Sequence, residues 1–254
     1  MSEVDLEKAD GVGVITLMAA ERRNALNPAM AAELEAVCDE VDGDMSIGAA
    51  VIRGDGGHFC AGAVRSVLDD AGHDPTGPVS YAAIGSVYEA FARFGRLQVP
   101  TIAAVCGAAV GAGVNLLLAA DLRVVADDCR ILAGFMRIGL HPGGGHFVLL
   151  GRTAGREAAA ALGLFAEEID GARARELGLA WDSVPAAGVD GRARDLAIRA
   201  GRDPELARMT VRSFRNELGP PMVPWPVALD AERASQMWTL RRRSLGAETA
   251  PPRS

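Results

Sequence analysis

Two turns built from small residues, each preceded by an apolar run, constrain this chain more than any other feature. Ala-Ala-Val-Ile at 49–52 leads into GDGGHFCAGA, Gly54 to Ala63. Thr-Ile-Ala-Ala-Val at 101–105 leads into GAAVGAGVNLLLAADL, Gly107 to Leu122. Short apolar runs closed by glycine read as buried strands ending in tight turns. Small residues let two backbones, or a backbone and a ligand, approach closely with N–H groups free to donate. Two such turns, about fifty residues apart, can aim two N–H groups at one oxygen, as an oxyanion site requires. The chain is expected to bind a carbonyl compound and polarise it.

The rest of the chain alternates strands and helices. Val12 to Met18 reads as a strand. Asn27 is a good N-cap, Pro28 suits a first helical turn, and Met30, Leu34, Val37 and Val41 follow at helical spacing. Residues 69–80, DDAGHDPTGPVS, read as a mobile surface loop, and Ile84, Tyr88 and Phe91 mark the next helix. A further helix is expected from Gly111 to about Ala120, then a strand at Leu122 to Ala126. GLHPGGGH, 139–146, reads as a loop. Helices are expected at Arg156–Leu164, Gly171–Leu177, Arg192–Ala200, Pro204–Leu218 and Ala228–Arg242, with a break at 220–226 and a frayed tail from Gly246. This order implies an α/β fold. We expect a core and active-site unit over 1–190 and a C-terminal helical oligomerisation region over 191–254.

With 49% hydrophobic and 23% charged residues, the 254-residue chain has the balance of a soluble globular protein. A net charge of -7 argues against general nucleic-acid binding. The four cysteines, Cys38, Cys60, Cys106 and Cys129, form no C-x-x-C pair, and three lie in or beside apolar runs. Buried free thiols are expected, which fits a reducing cytoplasm. No basic segment followed by an apolar stretch opens the chain, and no apolar run is long enough to span a bilayer. A cytoplasmic protein without membrane partners is the expectation.

Four segments, in order, resemble the enoyl-CoA hydratase/isomerase (crotonase) family. They are ERRNALN at 21–27, GDGGHFCAGA, AAVCGAAVGAGVNLLLAADLRV at 103–124 and EEIDGARARELGLAWDSV at 167–184. The resemblance implies a crotonase-like spiral of β-β-α units with a C-terminal helical region. It implies an acyl-CoA thioester substrate, a homotrimer or hexamer, and no cofactor or metal beyond the coenzyme A carried by the substrate. By position, the amides of Ala63 and Ala112 would form the oxyanion hole. Arg23, Ala25, Leu26, Ala61, Gly111, Phe135, Pro142 and Gly143 would lie along the substrate.

The acid/base residues depart from the family pattern. Hydratases of the family use two glutamates; here those places hold Asn115 and Phe135. Neither exchanges a proton near neutral pH, although Asn115 can order a water. His141 is the first candidate for a replacement proton carrier, with His146 nearby. The bland alternative is a pair of loop histidines satisfied by backbone or solvent, and zinc binding lacks a third ligand. Phe135 reads as apolar filling of the acyl pocket. Glu89 is a candidate carboxylate but fits a solvated helix face. Asp69, Asp70 and His73 belong to a loop that could cover the acyl site, with plain surface placement the default. Arg22 and Arg23 could meet CoA phosphates or be ordinary surface charge. Val64 stands where relatives often have Asp, and Arg241, Arg242 and Arg243 replace the family's C-terminal pattern. There is no G-x-S-x-G elbow, P-loop or dinucleotide fingerprint. Three functions follow: an enolate-stabilising enzyme with non-standard acid/base groups, a non-catalytic acyl-CoA carrier or, third in order, a different family chemistry such as isomerisation or C–C bond cleavage that uses a carboxylate the sequence does not place.

Overall fold

The computed structural model describes residues 2–218 and 224–248. A hairpin opens the chain: β1 (Val4–Ala9) pairs antiparallel with β2 (Val12–Leu17) across Asp10 and Gly11, both at positive φ. That is the turn geometry a tight hairpin favours. α1 (Pro28–Gly43) begins where expected, with the Asn27 side chain accepting from the Met30 amide at 2.8 Å. There follow β3 (Ala49–Gly54), α2 (Arg65–His73), α3 (Pro78–Gly95), β4 (Thr101–Val105), β5 (Ala108–Val110) and α4 (Ala112–Ala119). Then come β6 (Leu122–Ala126), β7 (Arg130–Leu132), α5 (His146–Gly163), β8 (Glu168–Ile169), α6 (Gly171–Glu176) and β9 (Asp182–Val184). Three helices close the chain: α7 (Val189–Gly201), α8 (Pro204–Glu217) and α9 (Trp225–Glu248).

Two sheets order these elements. The larger runs β1-β2-β3-β4-β6-β9, parallel from β2 onward. Parallel strands covered on both faces need continuous apolar runs, and β4 is buried at every residue. The smaller sheet runs β5-β7-β8. Two isolated parallel bridges, Cys60↔Ala109 and Leu26↔Ala63, extend it with two further chain segments. Each turn of the chain therefore supplies a strand to the large sheet, a short extended piece to the small one, and then helix. This is a spiral of β-β-α units, with the 60–63 segment bridged to Leu26 on one side and to Ala109 on the other.

Several local readings change. β1 precedes the strand taken as first, and the short strands β5, β7 and β8 have too few residues to show a period. The stretch 69–80 is not a loop: α2 holds residues to His73, and Pro78 starts α3. α2 is amphipathic and packs along α9, so its partner lies far away in sequence. His146 belongs to α5 rather than to the preceding loop, and that helix kinks at Gly155, whose φ is 80°. α7 lies across β2, β3, β4 and β6, so residues beyond 190 cover the core sheet. Residues 220–223 of the expected break and the tail from 249 lie outside the described residues. No helix among the described residues is long and apolar enough to cross a membrane.

Candidate active site

The small ladder sets two amides at its end. Leu26 N–H donates to the Gly62 carbonyl at 2.7 Å, and Val64 N–H donates back to Leu26 at 2.8 Å. On the other side, Cys60 N–H donates to Ala108 at 3.1 Å and Val110 N–H to Cys60 at 3.0 Å. Strand alternation turns the Ala63 amide toward β5, which has already ended at Val110. Among the described residues no acceptor meets it.

The second amide belongs to the first residue of α4. Gly111 caps that helix at φ 55°, ψ -114°, a conformation only glycine adopts readily. The turn frees the Ala112 N–H, one of the helix's first donors without an internal partner. The helix dipole favours negative charge there. The two turns touch at Gly62: a Cβ on it would stand 2.7 Å from the Val110 carbonyl oxygen and 3.4 Å from the Ala112 nitrogen. Gly113 is pressed against the Cys60 carbonyl in the same way.

These amides border a cavity of about 260 Å³. Ala61, Ala63, Gly111, Ala112, Asn115, Phe135 and Gly143 line it together, seven of the twelve positions expected along the substrate. The remaining lining is mostly apolar, including Leu68 and Ile84 of the α2–α3 layer. Ala25 and Leu26 are buried one strand behind, where Leu26 acts through its backbone. Arg23 is exposed, with left-handed backbone, and its carbonyl accepts from the Ala61 amide at 2.9 Å.

His141 and Pro142 do not join them. Both line a separate outer cleft with Met136, Leu164 and Thr239. The His141 amide donates to Thr239 Oγ1 at 3.0 Å, and its ring meets the Pro142 carbonyl at 2.6 Å. Pro142 and Gly143, adjacent in sequence, line different spaces.

The histidine beside the cavity wall is His146. It is fully buried, and its Nδ1 lies 2.7 Å from Asn115 Oδ1. Asn115 Nδ2 donates to the Gly143 carbonyl at 2.8 Å. The Phe135 ring meets the imidazole edge-on, with centroids 5.1 Å apart. Desolvation pushes the His146 pKa down to about 3, so the ring stays neutral. Glu232 of α9 accepts from the Gly145 and His146 amides at 2.7 and 3.2 Å, capping α5 from a distant helix. Burial pushes that carboxyl above its usual range.

Tyr88, Gln236 and Arg137 also line the cavity, and sequence reasoning assigned them no role. The Tyr88 hydroxyl donates to Gln236 Oε1, and burial pushes the phenol pKa up. Arg137 pairs with Glu168 at 3.2 Å and donates to the Ala166 carbonyl at 2.9 Å. The buried polar residue Asn24 binds the Ala19 amide and the Asp55 and His58 carbonyls, fixing the corner before the first turn. A polar residue opening the apolar stretch 147–150 was the available signal for His146; Gln236 stands among polar residues at 230–243 and offered none.

The other charged candidates face elsewhere. Glu89 pairs with Arg96 at 3.0 Å, and Asp69 pairs with Arg243 at 3.0 Å. His73 Nδ1 meets the Asp69 carbonyl, and Arg241 donates to the His73 carbonyl. Arg22 is committed to Glu3 and to the Ala25 carbonyl. Cys38, Cys60 and Cys129 are buried free thiols, each raised to about 12 by desolvation. No cluster of three or more His, Cys, Asp or Glu able to hold a metal occurs among the described residues.

Comparison with known proteins supplies the relatives of this arrangement. A sequence model of the enoyl-CoA hydratase/isomerase family matches residues 7–235. A Mycobacterium tuberculosis protein named "Probable enoyl-CoA hydratase" is 41% identical over 169 residues, 66% of this chain and 64% of that protein's length. The chain thus matches less than two thirds of that relative. The 1,2-epoxyphenylacetyl-CoA isomerase of Escherichia coli is 34% identical over 81% of this chain and 79% of its own. A crystal structure of an enoyl-CoA hydratase/isomerase from Xanthobacter autotrophicus superposes with a TM-score of 0.84 at 26% identity, covering 96% of this chain and 91% of that one.

Proposed function

The chain belongs to the enoyl-CoA hydratase/isomerase family and has its fold, and from that premise we propose that it binds an acyl-CoA thioester and stabilises the enolate. The thioester oxygen sits between the Ala63 and Ala112 amides. The observation that carries this reading is the convergence of two unpaired backbone donors on one largely apolar cavity. Charge developing on the oxygen is met by donors already in place, in a largely apolar cavity. Arg23, Ala25, Leu26 and Ala61 flank the coenzyme A portion, and Phe135 fills acyl space. Coenzyme A arrives with the substrate, and no further cofactor enters the reading.

The two-carboxylate hydration mechanism has no support here: no carboxylate side chain lines the cavity among the described residues. Proton transfer in this reading uses a water ordered on Asn115. The same observation favours a second reading, a carrier that binds acyl-CoA without converting it. Assembly as a homotrimer or hexamer is part of the proposal. It is supported by exposed Met136 and Leu164 along the outer cleft and by exposed Phe165 beside them. Light scattering that returned a monomer would remove it.

Ala112→Pro tests the oxyanion site. Proline suits a first helical position, so the helix survives while one donor is lost. Turnover of a 2-enoyl-CoA, read as loss of enoyl-thioester absorbance, should fall about 10²–10³-fold, the usual effect of one such donor. Unchanged turnover would refute the site. Tight binding of crotonyl-CoA and butyryl-CoA with no turnover in the native chain would favour the carrier.

A further inference from the structure

Two polar side chains lining the cavity, Asn115 and Gln236, present donors, because neighbours have taken their acceptors. The Gly143 carbonyl can only accept, so Asn115 must turn its nitrogen toward it and its oxygen toward His146. His146 Nδ1 then carries the proton. A carboxamide nitrogen has two N–H groups, and only one of Asn115's is spent on Gly143. Gln236 repeats the pattern. Its oxygen accepts from the buried Tyr88 hydroxyl, while its nitrogen abuts Gly143, 2.5 Å from where a Cβ would stand. The Ala63 and Ala112 amides complete the set. Donors with no acceptor in a largely apolar cavity specify a ligand rich in acceptor oxygen.

The spacing locates that oxygen. Ala112 and Asn115 are three residues apart on α4, so they share a face about one turn, ~5 Å, from each other. An oxygen on the third carbon of the acyl chain, beside a thioester oxygen held at Ala112, lies within that reach.

We infer that Asn115 and Gln236 bind a second acceptor oxygen on the acyl group, so that the cavity selects acyl-CoA thioesters oxidised at the third carbon, as a 3-oxoacyl group is. This rests on the acyl-CoA reading above. His146 and Tyr88 are positioning residues: each holds a carboxamide oxygen so that its nitrogen faces the ligand. His146 Nε2 is buried with no partner among the described residues, which leaves Nδ1 as the working atom of the ring.

Calorimetric titration with acetoacetyl-CoA and butyryl-CoA, equal in chain length, tests this. The native chain should prefer acetoacetyl-CoA at least about tenfold, since a site built for a hydrogen bond discriminates against the analogue lacking it. Asn115→Asp and Gln236→Met, both close in shape to the native residues, should each reduce the ratio toward one. His146→Leu should do the same, and His146→Asn should restore it, because the Asn amide stands near the place of Nδ1. Equal native affinities would overturn the inference, as would a preference surviving both Asn115→Asp and Gln236→Met. Those two arms decide the matter even if His146→Leu fails to fold. Failure of both thioesters to bind would instead defeat the acyl-CoA reading, and this inference with it.

Discussion

At the scale of single residues, His146 ties the site to the stability of the whole chain. Its folded pKa is near 3, while an unfolded histidine titrates near 6.5. Between those values the unfolded chain binds a proton that the folded chain refuses. Stability from this group is therefore fully present above pH 6.5 and is lost as pH falls toward 3, by up to about 1.4 kcal/mol per pH unit. Urea midpoints measured from pH 7 to pH 5 should fall less steeply in His146→Asn than in the native chain. Parallel slopes would show that the ring is not kept neutral. Sequence reading located Ala63, Ala112, Asn115 and Phe135 because glycine turns and motif order mark them. It named His141, which lines the outer cleft, because loop composition does not show which space each residue faces. Gln236 escaped it, since its partner Tyr88 lies 148 positions away.

At the scale of elements, the start of α4 and the 60–63 segment form one rigid joint. Gly113 against the Cys60 carbonyl sets their separation, and Gly62 against Val110 and Ala112 sets their tilt. Gly113→Ala should cost about 1–3 kcal/mol through overpacking, read as a lower melting temperature. Acyl-CoA affinity should fall further than that loss explains, because the displaced helix start carries the Ala112 donor with it. A variant with native affinity would show that the joint does not set the donor geometry. Strand runs and caps were legible here: β3, β4 and the Asn27-Pro28 start of α1 all stand where their sequences put them. The two-residue β8 and the helix α2 were not, since tertiary pairing decides both.

At the scale of the molecule, the cavity is closed by helices that the chain order keeps apart. α2 and α9 pack side by side, and Leu240 of α9 is buried although it lies outside the cavity lining. Ligand binding should slow amide hydrogen exchange in both helices together, because they form one wall. Protection confined to the two glycine turns would mean that α9 takes no part in closing the site.

The Tyr88–Gln236 pair also sets a timetable for a growing polypeptide. Ribosomes release about 5–20 residues per second, so the 148 positions between these partners take on the order of ten seconds to emerge. The two glycine turns that border the cavity emerge before its α9 wall. Until Gln236 emerges, a nascent chain holds the two glycine turns without this part of the cavity wall.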